Sequence, residues 1–170
     1  MLRSGFRNIE PKTPTTPFEA AGLAAIAGLR SMAAPALLSR ALRRGDVGGL
    51  QDTPFAALGR PKVSTTLQLL MVGEMIADKA PFVPSRTSAP GLSSRVLSGA
   101  LVGSALFVAG KRHPIPGASL GALSAVAAAY VGEKLWVKGA EKLGVPQQIL
   151  GLLEDGIVLS GGTRLLRKKA

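Results

Sequence analysis

Cysteine is absent from the 170-residue chain, and His113 is its single histidine. Without cysteine, disulfides, thiolate catalysis, iron–sulfur clusters and thiolate-ligated zinc are all excluded. One histidine also excludes any metal site that needs two from the same chain. Aromatic residues are almost as scarce, with five Phe, one Trp and one Tyr, so nucleic-acid bases would find little to stack on. Acids are few as well: ten Asp and Glu against 21 Lys and Arg leave a formal net charge of +11. No cofactor and no catalytic residue is expected from this inventory.

What is abundant is small and aliphatic, giving a mean hydropathy of +0.28 in spite of the charge. The basic residues gather in short groups (Arg40, Arg43, Arg44; Lys111, Arg112; Arg164, Arg167, Lys168, Lys169) separated by apolar runs. That pattern fits basic loops between membrane segments better than a nucleic-acid surface or a soluble Ala-rich bundle. Anionic lipid headgroups are therefore the expected partners of the basic groups, and no nucleic acid is expected. The first 17 residues, with Arg3, Arg7, Lys12 and three prolines, lack an apolar core. They read as a basic tail and not as a cleavable signal.

Thr16-Pro17-Phe18-Glu19 matches a capping box, with Thr16 as cap, Pro17 first in the helix and Glu19 reaching back. This helix is expected to run to Arg44, where Arg43 and Arg44 suit a carbonyl end and Gly45 supplies a left-handed stop. It would be roughly 42 Å long, more than a hydrocarbon core of about 30 Å requires. It should therefore kink at Pro35 or project beyond the bilayer. Further helices are expected from Pro61 to Lys79, Ala89 to Gly110, Pro116 to Gly144 and Pro146 to Ser160. The last, roughly 22 Å long, is too short to span comfortably and reads as a re-entrant or tilted half-helix. Trp136, in an amphipathic stretch after Gly132, is placed like an interfacial anchor. The expected fold is an all-α, polytopic transmembrane helical bundle of about four full spans plus one shorter intramembrane helix. A basic tail (1–16) would precede the helical domain (17–162), and a second basic tail (163–170) would follow it.

The strongest chemical signal is a set of ionisable residues inside or beside apolar runs: Arg30, Glu74, Asp78, Arg95, Glu133, Glu154 and Asp155. A charge at the bilayer centre costs about 2.5–3.5 kcal/mol on insertion scales, so each implies a partner or water. Glu74 and Asp78 stand four residues apart, on one helical face. Asp78 lies at a carbonyl end and Arg95 near an amino end, both the wrong sign for the helix dipole. The two are expected to pair. Glu74, Asp78, Arg30, Glu154 and Asp155 form the candidate binding or relay set; the competing reading makes the same charges interhelical pairs that fix packing. Glu74 and Asp78 could together hold a hard cation, but no metal site is assigned. Gly99 with Gly103, and Gly117 with Gly121, form narrow faces for close helix packing. Gly117-Ala118-Ser119-Leu120-Gly121 fits a serine nucleophile elbow by letter. It opens an uncharged helix with no strand before it, and packing explains it better.

Gly28-Leu29-Arg30-Ser31-Met32 with Pro35, Gly73-Glu74 through Asp78-Lys79, and Pro81-Phe82 to Ser85-Arg86-Thr87 also carry a resemblance. So do Arg95 with Ser98-Gly99-Ala100-Leu101 and Gly103, and Glu154-Asp155. Together they resemble a bacterial family of small polytopic membrane proteins known only as a domain of unknown function. The resemblance implies an integral membrane protein of bacterial type, and the expected location is the bacterial inner (plasma) membrane. It implies no activity, substrate or cofactor.

The expected function is permeation, a small channel or carrier for a cation, proton or small solute that uses the intramembrane carboxylates. The alternative is a non-catalytic scaffold subunit, a homo-oligomer or part of a larger membrane complex, docked through its small-residue helix faces and basic tails.

Overall fold

The computed structural model describes residues 16–78, 87–144 and 147–166. Among these residues the chain is all-helical: six α-helices and one short 3-10 helix, with no strand. Helix α1 (Pro17–Leu29) starts as its sequence suggests, with the Thr16 hydroxyl accepting from the Glu19 amide at 3.3 Å. It then stops at Arg30, whose backbone is extended (φ −138, ψ 110). Helix α2 (Ala33–Arg44) restarts three residues later and ends on Gly45 in the left-handed conformation (φ 72). The single long helix expected from 17 to 44 is therefore two helices. The break falls at Arg30 and not at Pro35, because Pro35 sits in the first turn of α2, where its missing amide interrupts nothing.

A 3-10 helix (Pro54–Gly59) leads into α3 (Pro61–Ala77), followed by α4 (Ala89–Ala109), α5 (Pro114–Leu143) and α6 (Gln147–Leu166). Helix α5 starts two residues before Pro116, since His113 Nδ1 accepts from the Ile115 amide at 3.4 Å and caps it. Ser88 occupies the cap of α4, but its hydroxyl makes no capping bond. Helix α6 runs through Gly161 and Gly162, past the expected stop at Ser160. Tertiary packing overrides the low helix propensity of glycine here: a Cβ at Gly162 would lie 3.0 Å from Ile26 Cδ1 and press on Leu37. The helix is thus 20 residues, about 30 Å, and not a half-helix.

Contacts along α6 fix how α1 and α2 are arranged. Asp155 meets Arg30 at the end of α1, Gly162 lies against both Ile26 of α1 and Leu37 of α2, and Leu165 lies against Gly22 near the start of α1. Moving along α6, its partners go backward in α1 and forward in α2. Helices α1 and α2 are the two arms of a hairpin whose tip is Arg30-Ser31-Met32. Helix α3 returns antiparallel to α2: Ser39 Oγ donates to the Leu58 carbonyl at one end, and Glu74 meets Ser31 and Met32 at the other. Helix α4 ends beside the loop after α2, because a Cβ at Gly49 would lie 2.7 Å from the Ala109 carbonyl oxygen. Arg40, Arg44, Arg60, Lys111, Arg112 and Arg164 therefore gather at one end of the bundle, with the hairpin tip pointing toward the other.

Helices α4 and α5 cross on glycine. A Cβ at Gly99 would stand 2.5 Å from the Gly121 carbonyl oxygen, and one at Gly117 would stand 2.5 Å from that of Gly103. The backbones touch, so all four positions are occupied within the chain. Helix α1 joins this pair through Gly28, where a Cβ would sit 2.7 Å from Ala128 Cβ.

Among the described residues two helices, Ala89–Ala109 and the Pro114–Trp136 part of α5, are long and apolar enough to cross a membrane. The expectation of four such spans is corrected. Helices α1 and α2 have 13 and 12 residues, α3 has 17 and carries Glu74, and α6 carries Glu154, Asp155 and Arg164.

Candidate functional site

Breaking a helix inside a bundle leaves carbonyls at the end of α1 and amides at the start of α2 without intrahelical partners. The residues that answer this come from other helices. Glu74 of α3 places one oxygen 2.8 Å from both the Ser31 amide and the Ser31 hydroxyl, and the other 2.8 Å from the Met32 amide. An anion is thereby set at the positive end of α2. At the negative end of α1, Arg95 Nε donates to the Gly28 carbonyl at 3.0 Å, while its Nη1 donates to the Gly91 carbonyl at 2.8 Å. A cation at that end is equally favourable.

Arg30, at the tip, is 1% exposed. Its Nε donates to Asp155 Oδ1 at 2.8 Å, its Nη1 pairs with Asp78 Oδ2, and its Nη2 lies 3.5 Å from Glu154 Oε2. The planar guanidinium suits this duty, because it offers donors in several fixed directions at once. Glu154, fully buried, also accepts from the Trp136 indole N–H at 2.9 Å through its Oε1. Burying such charges is tolerable only when each is paired and hydrogen-bonded.

Arg30, Asp78, Glu154 and Asp155 thus converge on one point, with Glu74 holding the adjoining backbone. The ion pair expected between Asp78 and Arg95 is corrected: Asp78 takes Arg30. Arg95 instead crosses to the α1 carbonyl end, where the dipole favours it. Asp78 is the C-cap of α3, one residue after Ala77, and its reach to the tip follows from α3 running antiparallel to α2. Lys79, the expected last residue of that helix, lies outside the described residues, as does the stretch from Pro81 to Arg86.

Three participants were not visible beforehand. Ser31 and Met32 act through backbone amides, which no residue pattern marks. Trp136 serves the cluster as a hydrogen-bond donor where an interfacial anchor was expected; a lone Trp within two turns of acids carries no signal of that kind. Gly117 and Gly121, read by letter as an elbow, are buried against α4, while Ser119 between them is exposed.

Access is graded. The Asp78 and Asp155 side chains are 18% and 12% exposed, against 1% for Arg30 and 0% for Glu154. The two aspartates are thus the partly exposed members of the cluster, and Arg30 and Glu154 its shielded ones. Chemically it offers carboxylate oxygens, a guanidinium and the Ser31 hydroxyl.

A family model described as a domain of unknown function (DUF4126) matches residues 18–163. No curated protein and no solved structure matches the chain.

Proposed function

The chain belongs to the DUF4126 family, and from that premise we propose that it is an integral membrane protein acting as a small channel or carrier for a cation or proton. The Arg30-centred cluster is its site. One observation carries the reading: a helix interrupted inside the bundle, with the interruption closed by Arg30 and by carboxylates from α3 and α6. Interrupted helices whose ends face ionisable groups are how polar solutes are held within membrane bundles.

The surface supports the membrane setting. Leu69 and Ile76 of α3 are both 68% exposed, and Leu97, Leu123, Leu135 and Leu152 lie at the surface of α4, α5 and α6. Arg30, Arg95 and Glu154 are buried, while these apolar side chains face outward. Water would oppose this distribution and a bilayer favours it.

The same geometry supplies a coupling. Protonating Asp78 or Asp155, or placing a cation on either, weakens its hold on Arg30 and so loosens the hairpin tip. Occupancy of the site and conformation of the hairpin are then linked, as a carrier requires.

The test is flux. Purified protein in liposomes, with a pH-sensitive dye inside and an imposed potassium diffusion potential, is expected to carry protons or the added cation. Asp78→Asn and Asp155→Asn should abolish the flux, while Lys142→Gln, an exposed residue far along α5, should not. Folded wild-type protein that leaks no more than empty vesicles would sink the proposal.

A scaffold role is the second reading, favoured by the exposed apolar side of α3, which buries only Ser64. Its docking surface would be that side, because the α4 and α5 glycines are already engaged with one another. Co-purification of a stoichiometric partner in mild detergent, together with absent flux, would favour it.

A further inference from the structure

At the basic end of the bundle, α2 and α6 finish side by side and leave a cleft of about 260 Å³ lined by Leu37, Arg40, Ala41, Arg44, Thr163 and Leu166, with Asp46 at its border. Arg40 and Arg44 are one turn apart and exposed, so both guanidiniums face the same side. Among the described residues neither forms an ion pair, although Asp46 borders the same cleft. Offsetting the negative end of α2 asks for a cation in its last turn, and Arg43 is there as well. Arg40, a turn earlier, is not needed for that purpose. The floor of the cleft is apolar, formed by Leu37, Ala41 and Leu166, three residues buried in the core.

We infer that this cleft binds the phosphate of an anionic phospholipid, with Arg40 and Arg44 holding the phosphate and the glycerol end resting on Leu37 and Leu166. Arginine is suited to this because its fork matches phosphate oxygens two at a time. Basic clefts between helices near a membrane surface hold anionic headgroups by this chemistry. The apolar floor selects a lipid over free phosphate. The inference stands apart from the Arg30 cluster, shares no residue with it, and does not depend on transport.

The experiment follows the thermal midpoint of the full chain in neutral detergent micelles by the fluorescence of Trp136. Phosphatidylglycerol added to the micelles is expected to raise the midpoint, whereas phosphatidylcholine and inorganic phosphate at equal concentration are not. In R40Q/R44Q the phosphatidylglycerol needed for half the shift should rise by about thirtyfold, and R43Q should leave it unchanged. An unaltered requirement in the double variant overturns the inference; so does an equal response to inorganic phosphate, which would make this a free-anion site. A second measurement needs no variant: a photoactivatable phosphatidylglycerol on the wild-type chain should label peptides covering 37–46 and 163–166. Labelling confined to other helices overturns the inference too.

Discussion

Arg30 and Asp155, 125 positions apart in the chain, meet in a hydrogen bond of 2.8 Å between Nε and Oδ1. The bond ties the tip of the α1–α2 hairpin to the middle of α6. Asp78 and Glu154 complete the ring around the same guanidinium. A bond of this kind does two things: it neutralises charge in a shielded place, and it fixes how far the hairpin inserts between its neighbours.

Removing the arginine leaves the three carboxylates without the cation they share. Arg30→Met should therefore cost about 3–5 kcal/mol, the range for taking one partner from a buried pair. Arg30→Lys should recover only part of this, since one ammonium cannot serve three carboxylates lying in different directions. Unfolding of both variants in mixed micelles, followed by helical circular dichroism, measures the difference. Wild-type stability in Arg30→Met would mean that the cluster is not shielded.

Glu74 has a different duty, because its partners are amides and a hydroxyl. In Glu74→Gln the side-chain oxygen can still accept from Ser31, but the new amide group faces the Met32 N–H, donor against donor. A loss of about 1–3 kcal/mol is expected, with hydrogen exchange accelerated at Ser31 and Met32 in particular. Exchange rates that stay as slow as in the wild type would show that the carboxylate does not hold the break.

The contrast between Arg30 and Glu74 shows how much the sequence discloses. Glu74 and Asp78 on one face, the misplaced sign of Asp78, and the stops at Gly45 and Gly144 are all local facts, and local chemistry is legible along a chain. The glycine faces of α4 and α5 were legible for the same reason, as spacing of four. The break at Arg30 was not. Nothing between Gly28 and Ala34 forbids a helix, and the bonds that make an interruption tolerable come from Glu74, 42 positions beyond Met32, and from Asp155. Which cation Asp78 would take depended on the hairpin, so the choice of Arg95 failed with it. Helix α6 passed its two glycines because Ile26 and Leu37 pack on Gly162, again a tertiary matter.

Glycines of the same chain should respond to alanine with opposite signs. At Gly103 a new Cβ would stand 3.0 Å from the Gly121 Cα and collide with the Gly117 carbonyl, so α4 and α5 must move apart; about 1–3 kcal/mol of destabilisation is expected. At Gly73, within α3, a Cβ meets nothing within 4 Å. There the substitution should stabilise by about 0.5–1 kcal/mol through backbone entropy alone. Thermal midpoints of Gly103→Ala and Gly73→Ala in the same detergent check both signs at once. If both fell together, close packing of α4 on α5 would not be the reason.

The hairpin also predicts sidedness. Because α1 enters and α2 leaves at the same end, Arg40, Arg43, Arg44, Arg60, Lys111, Arg112 and Arg164 share one face with the loop from 45 to 60, while α5 turns into α6 at the other. On the proposed membrane reading, basic loops are retained on the cytoplasmic side, so that face is expected to be cytoplasmic. The absence of native cysteine makes the measurement direct. Gln51→Cys, in the exposed loop of the basic face, should react with a membrane-impermeant maleimide only in inverted vesicles, and Lys142→Cys, exposed near the end of α5, only in right-side-out vesicles. Labelling of both from one side would place α5 and the loop on the same face. The hairpin geometry, and with it the insertion of Arg30 from the basic side, would then be wrong.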